Sequence, residues 1–161
     1  MHMITLLKGT FPKDYLGNII VQYQLPFPCR ALKIVLRTEE LERKTAALSH
    51  EKEAVEAFLL HCERAPEPEE KERILGQMKT EIQLAAFLSG VFMGNIHRPG
   101  KEKRMLFSPD AERTCGCMDI KGPYHGLLKL VINSFGVLEE ALPWELEISA
   151  EPAERERKER I

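Results

Sequence analysis

Apolar and polar residues alternate with period two at the start of the chain, which is the repeat of a strand that buries one face. In Ile19-Ile20-Val21-Gln22-Tyr23-Gln24-Leu25 the odd positions are apolar, and Gln22 and Gln24 point the other way. Leu32, Ile34 and Leu36 alternate with Lys33, Val35 and Arg37 in a second strand. Pro26-Phe27-Pro28 divides the two, because proline lacks the N–H that a ladder needs. Met3 to Gly9 predicts a third strand, and Phe11 to Asn18 a turn-rich connector.

From Thr38 the period changes to that of a helix. Thr38 is a residue type that caps, Glu39, Glu40 and Glu42 suit the positive end of a helix dipole, and Leu41, Leu48, Val55, Leu59 and Cys62 fall on one stripe expected to pack on the sheet. That helix should end near Arg64. Pro66 and Pro68 break the pattern and suit the first turn of a second helix carrying Ile74, Leu75 and Met78. Eleven acids against seven Lys and Arg between Thr38 and Lys79 make this insert, over about 38–79, an acidic helical hairpin of net charge −4.

Beyond it, the run Ile82 to Met93 reads as strand, with a buried helix as the alternative; Ile82, Leu84, Ala86 and Leu88 alternate, and Gly90 and Gly94 disfavour a long helix. Met105-Leu106-Phe107 is a short strand, Leu127 to Phe135 a continuous apolar run that suits a central one, and Trp144, Leu146 and Ile148 alternate with Glu145, Glu147 and Ser149. Strands on both sides of one helical insert, without repeating strand-helix-strand units, predict an α+β fold. Its frame would be an antiparallel β-sandwich of about seven strands, over residues 1–150, with an inserted α-helical hairpin. Residues 151–161, with four acids and four bases, read as a charged tail.

Composition narrows the function classes. The 161 residues carry 23 Lys and Arg against 25 Asp and Glu, and only Arg98 to Arg104 is locally basic, so no nucleic acid is expected as a partner. The N-terminus has no basic region before an apolar run, and no stretch is long and apolar enough to span a bilayer, so neither export nor a membrane is expected and a cytoplasmic location is. Four cysteines then read as free thiols.

Cys115-Gly116-Cys117, with His97 and His125, offers soft ligands, yet a single C-x-C with scattered histidines supplies half of one zinc knuckle pair; Cys115, Cys117 and His125 are the weak metal candidates, and no metal or other cofactor is expected. The same residues with His97 make the alternative of a small hydrolytic protein, although no G-x-S-x-G, H-E-x-x-H or phosphate-cradling glycine loop is present. Gly94-Asn95-Ile96-His97-Arg98, before Pro99-Gly100-Lys101, groups an imidazole and a guanidinium able to grip an anion. Asn95, His97, Arg98, Tyr124 and His125 are therefore the candidate ligand residues. The competing reading is that Arg98, Lys101, Lys103 and Arg104 solvate a connection between strands or pair with the acidic insert.

Several segments resemble a known domain. Gly9-Thr10-Phe11-Pro12 through Gly17, Ile19 to Leu25, Leu32-Lys33-Ile34-Val35-Leu36, Phe92-Met93-Gly94, Thr114-Cys115-Gly116-Cys117, Lys121 to Leu127 and Trp144 to Ile148 are together similar to the β-sandwich domain that precedes the metal-dependent phosphoesterase domain of certain bacterial PHP-type proteins. Ser89-Gly90 stands where such domains tend to have Asp-Pro, and Met93 replaces a basic residue. The resemblance implies a fold and no chemistry, since that family's catalytic metal cluster belongs to the following domain, which this chain is expected to lack. The expectation is a non-catalytic binding or docking module, accessory to a separately encoded phosphoesterase. Its partner would be a protein or a small anionic ligand. A self-associating structural protein, joined through the helical hairpin, is the third alternative.

Overall fold

The structure is a computed structural model describing residues 1–39 and 43–153, without the side chains of Arg43, Lys44 and Ala46. Eight strands stand among the described residues: β1 (His2–Pro12), β2 (Gly17–Gln24), β3 (Cys29–Thr38), β4 (Glu81–Leu88), β5 (Val91–Ile96), β6 (Glu102–Phe107), β7 (Leu127–Gly136) and β8 (Ala141–Pro152). They form two four-stranded antiparallel sheets, ordered β1-β8-β3-β6 (the first) and β2-β7-β4-β5 (the second). Between β3 and β4 lie three helices, α1 (Arg43–Ser49), α2 (Glu51–Cys62) and α3 (Pro68–Gln77), so the chain is α+β. None of these helices is long and apolar enough to cross a membrane.

Alternation sets the core. Leu32, Ile34 and Leu36 of β3, Met105 and Phe107 of β6, and Leu146 and Ile148 of β8 share one buried cluster with Leu84 and Ala86 of β4 and Leu128, Leu130 and Ile132 of β7. The two sheets thus contribute to a common apolar interior, the main favourable term in folding. The long apolar run of β7 does lie centrally, between β2 and β4. Trp144 follows Leu142 on β8's buried face, and its ring lies over Gly9 of β1, its partner across the strands.

The insert departs from expectation in two ways. It follows Thr38, the last residue of β3, which pairs with Trp144 and whose N–H donates to the Lys101 carbonyl (2.8 Å). The single long helix is broken at His50 into α1 and α2, which makes three helices rather than a hairpin. Nor does the apolar stripe pack on a sheet. Leu48, Leu59 and Cys62 are exposed, Val55 shares a shallow cleft with Ile74 and Leu75 of α3, and Leu41 lies outside the described residues. Ala47 and His50 are the buried anchors: His50 Nε2 meets the Leu138 carbonyl, its Nδ1 lies 2.6 Å from Glu53, and Glu53 pairs with Lys13 (3.0 Å).

The run Ile82 to Met93 is likewise two strands, because Ser89 (φ 49°) and Gly90 (φ 86°) supply the left-handed pair that reverses the chain. At the C-terminal end, Glu151 and Pro152 still belong to β8, while 154–161 lie outside the described residues.

Candidate functional site

The candidate ligands do not converge. His97 follows β5, is exposed and sits beside Glu81 at the start of β4, whereas the backbone carbonyl of His125 accepts from Ser89 Oγ (3.4 Å) in the β4–β5 turn. A strand's length separates them, roughly 20 Å at the usual rise. Tyr124 is buried: its hydroxyl donates to the Ile120 carbonyl (2.9 Å), its ring lies 6.0 Å from that of Phe107, and its backbone exchanges two bonds with Cys29 (2.7 and 2.8 Å). It is a core strut. Arg98 is exposed, while Lys103 of the basic segment turns inward and donates to the Gly100 carbonyl (2.9 Å).

Cys115-Gly116-Cys117 has a structural role. The segment lies as a strap along the outer edge of β5, with Asn95 N–H donating to the Gly116 carbonyl (2.9 Å) and Met118 N–H to the Met93 carbonyl (2.7 Å). A Cβ on Gly94 would stand 2.8 Å from Cys117 Cα, and one on Gly116 2.5 Å from the Asn95 carbonyl oxygen, so both glycines permit the approach. Cys117 drops into the core, where burial pushes its thiol up to about 11, and a protonated thiol is neither nucleophile nor ligand. Cys115 is exposed. Among the described residues no group of three or more His, Cys, Asp and Glu is placed to hold a metal.

A groove of about 990 Å³ opens beside Tyr124, lined by Arg30, Ser108, Asp119, Lys121 and Pro123. Its guanidinium is already paired, with Asp110 and with Glu151 (3.0 Å), whose bonds raise the Arg30 pKa. A small anion would have to displace both carboxylates.

The outer faces of the two sheets differ sharply. On the first, Lys8 pairs with Glu145, Lys33 with Glu147 (2.9 Å), and Arg37 with Glu147 (3.0 Å) and Glu102 (3.1 Å), a lattice of opposite charges open to water. On the second, register places Asn18 opposite Asn133 and Asn133 opposite Gln83, whose Oε1 accepts from Asn95 Nδ2 (3.4 Å). The next row is Ile20, Val131 and Ala85. The third is Gln22, Lys129, Phe87 and Phe92, with Lys129 Nζ 5.7 Å from the Phe87 centroid. Six of the chain's seven Asn and Gln stand on this one face, counting Gln24, and Lys129 is the single charge across its three rows. Ile20 is 56% exposed and Phe92 43%. Asn95 Oδ1 is buried without a hydrogen-bond partner, the kind of group that calls for an explanation. Of the sequence candidates only Asn95 belongs here; alternation at Gln22 and Gln24 was the visible signal of the rest.

A family model matches residues 1–158, nearly the whole chain. The chain belongs to DUF6669. That family is described as one of unknown function, and no curated protein matches the chain. The carboxamide face and the Cys-Gly-Cys strap are thus features of a DUF6669 chain over its full matched length, with no activity attached to either.

Proposed function

We propose that this DUF6669 chain is a β-sandwich module that binds or docks rather than catalyses, and that its working surface is the outer face of the β2-β7-β4-β5 sheet. The sandwich reading is supported by the single core to which both sheets contribute. The observation that carries the binding role is the concentration of uncharged hydrogen-bonding side chains there, Asn18, Asn133, Gln83 and Asn95 beside the apolar Ile20, Val131 and Ala85. A face held in water for solubility alone is normally charged, as the first sheet's is. Carboxamides offer donors and acceptors without a desolvated charge, and they combine with apolar area as in the core of a protein interface. The partner is then an uncharged protein surface, and the similarity to PHP-associated domains makes a separately encoded phosphoesterase the first to try.

Capture from native lysate with matched variants tests this. A partner held by the parent and by Leu6→Glu, on the first sheet's outer face, but lost by Val131→Glu would support it. Equal capture by all three, or turnover of a phosphoester by the purified chain, would overturn it.

A further inference from the structure

Two antiparallel sheets have four edge strands, and three of these are protected. β1 is interrupted by a register shift between Met3 and Thr5 and carries Lys8; β6 carries Glu102, Lys103 and Arg104, and Thr114 Oγ1 accepts from its Leu106 N–H (3.0 Å); β5 is covered by the strap at Gly94 and Cys117. Bulges, charges and covering segments are the devices by which proteins keep edges from pairing. Among the described residues β2 has none of them. Gly17–Gln24 contains no charged residue and no proline and keeps unbroken register with β7. At its start the Tyr15 hydroxyl reaches the Asn18 carbonyl at 3.5 Å, the limit of hydrogen bonding.

We propose that β2 pairs with β2 of a second copy, antiparallel about a twofold axis through Ile20. The sequence is self-complementary in that register. Ile20 meets Ile20 of the partner subunit and Asn18 meets Gln22 of the partner subunit on the outer face, while Ile19 meets Val21 of the partner subunit on the core face, so like environments meet on both sides. A shift by one residue would oppose outward and inward side chains and is excluded. The open N–H and C=O groups of an edge accept another strand in particular, and with no charge on β2 nothing repels an identical one. The two second sheets then run on as one, and the carboxamide rows of the copies lie side by side. This inference does not depend on the docking role above, because pairing uses the edge of that sheet and docking its face.

Light scattering on the eluting full chain reads it directly. The expected mass is twice 18.4 kDa, falling by half on dilution. Ile20→Lys places two ammonium groups opposite each other at an exposed position, so it should elute as monomer with an unchanged far-UV circular dichroism spectrum, while Leu6→Lys on the β1 edge stays dimeric. In a Cys62→Ser/Cys115→Ser background, Ile20→Cys should cross-link under mild oxidation and Asn18→Cys should not, because only the residue on the axis meets its own copy within disulfide reach. A chain monomeric at every concentration, a dimer that survives Ile20→Lys, or cross-linking through Leu60→Cys of the insert instead would each overturn the proposal.

Discussion

Gly9→Ala should destabilise the protein, against the usual sign for such a change in a strand. Glycine gains freedom on unfolding, so replacing it by alanine where the backbone is compatible normally stabilises by about 0.4–1 kcal/mol. Gly9 lies directly opposite Trp144, and a Cβ there would fall 2.6 Å from indole Cε2 and 2.8 Å from Nε1, with Cζ2 closer still. The obstacle is a ring, which cannot swing aside as a flexible tip would. Trp144 is 7% exposed and lies against Phe11, with centroids 6.1 Å apart, so moving it disturbs the core. Overpacking of this kind costs roughly 1–3 kcal/mol, which outweighs the entropic gain.

The double-mutant cycle isolates the cause. Trp144→Ala alone should cost roughly 3–5 kcal/mol, as for other buried aromatics. In that background the clash is gone, and Gly9→Ala should become neutral or stabilising, giving a coupling of about 2 kcal/mol. Urea denaturation followed by far-UV circular dichroism measures all four corners, since Trp144 is the sole tryptophan and fluorescence would be lost with it. A higher urea midpoint for Gly9→Ala in the parent would show that the ring does not occupy that space and refute the reasoning.

Replacing residues 40–77 by a short Gly/Ser linker should leave a folded β protein. The loss should be no more than about 2 kcal/mol, because α2 and α3 bury no residue and the insert is held through Ala47, His50 and the Lys13–Glu53 pair; complete unfolding would place the helices in the main core. Lys33, Ser149 and Arg37 hold the Glu147 carboxyl at about 2, below its ordinary 4.5. The stability from that depression is therefore present above about pH 4.5 and lost as pH falls towards 2. Glu147→Gln should cost on the order of 1 kcal/mol near neutrality and progressively less across that window in acid titrations of urea stability. A thiol reagent should modify Cys62 and Cys115 at once in the native protein, and Cys29 and Cys117 only after denaturation, by mass spectrometry of the labelled peptides.

What the sequence made legible was local. Period-two alternation placed β2, β3 and β8, because each buries one face of side chains, and it put Trp144, Leu146 and Ile148 in the core, while a continuous apolar run placed β7. The insert misled for a physical reason. Leu48, Val55 and Leu59 keep helical spacing, but α1, α2 and α3 pack chiefly on one another, and a stripe cannot say which neighbour it faces. Cys115-Gly116-Cys117 read as chemistry since cysteines at short spacing resemble a knuckle. Its real constraint is close backbone approach to Gly94, a residue 22 positions away that nothing local links to it.

The carboxamide face shows where such reading ends. Its first row is assembled from Asn18, Asn133 and Gln83, three segments far apart in sequence, and none is unusual alone. The row exists because β7 lies between β2 and β4 and because its register turns Lys129, Val131 and Asn133 outward while Leu128, Leu130 and Ile132 turn in. Slipping β7 by one residue would bury a lysine and an asparagine and expose three aliphatic side chains, so the core that fixes the fold also fixes the face. Substitutions that leave Leu128, Leu130 and Ile132 intact can therefore recolour the outer surface without moving it. For this reason Val131→Glu and Ile20→Lys report on contacts between molecules rather than on folding, and the Ile20→Cys cross-link, which strand pairing alone brings into reach, separates the edge from the face.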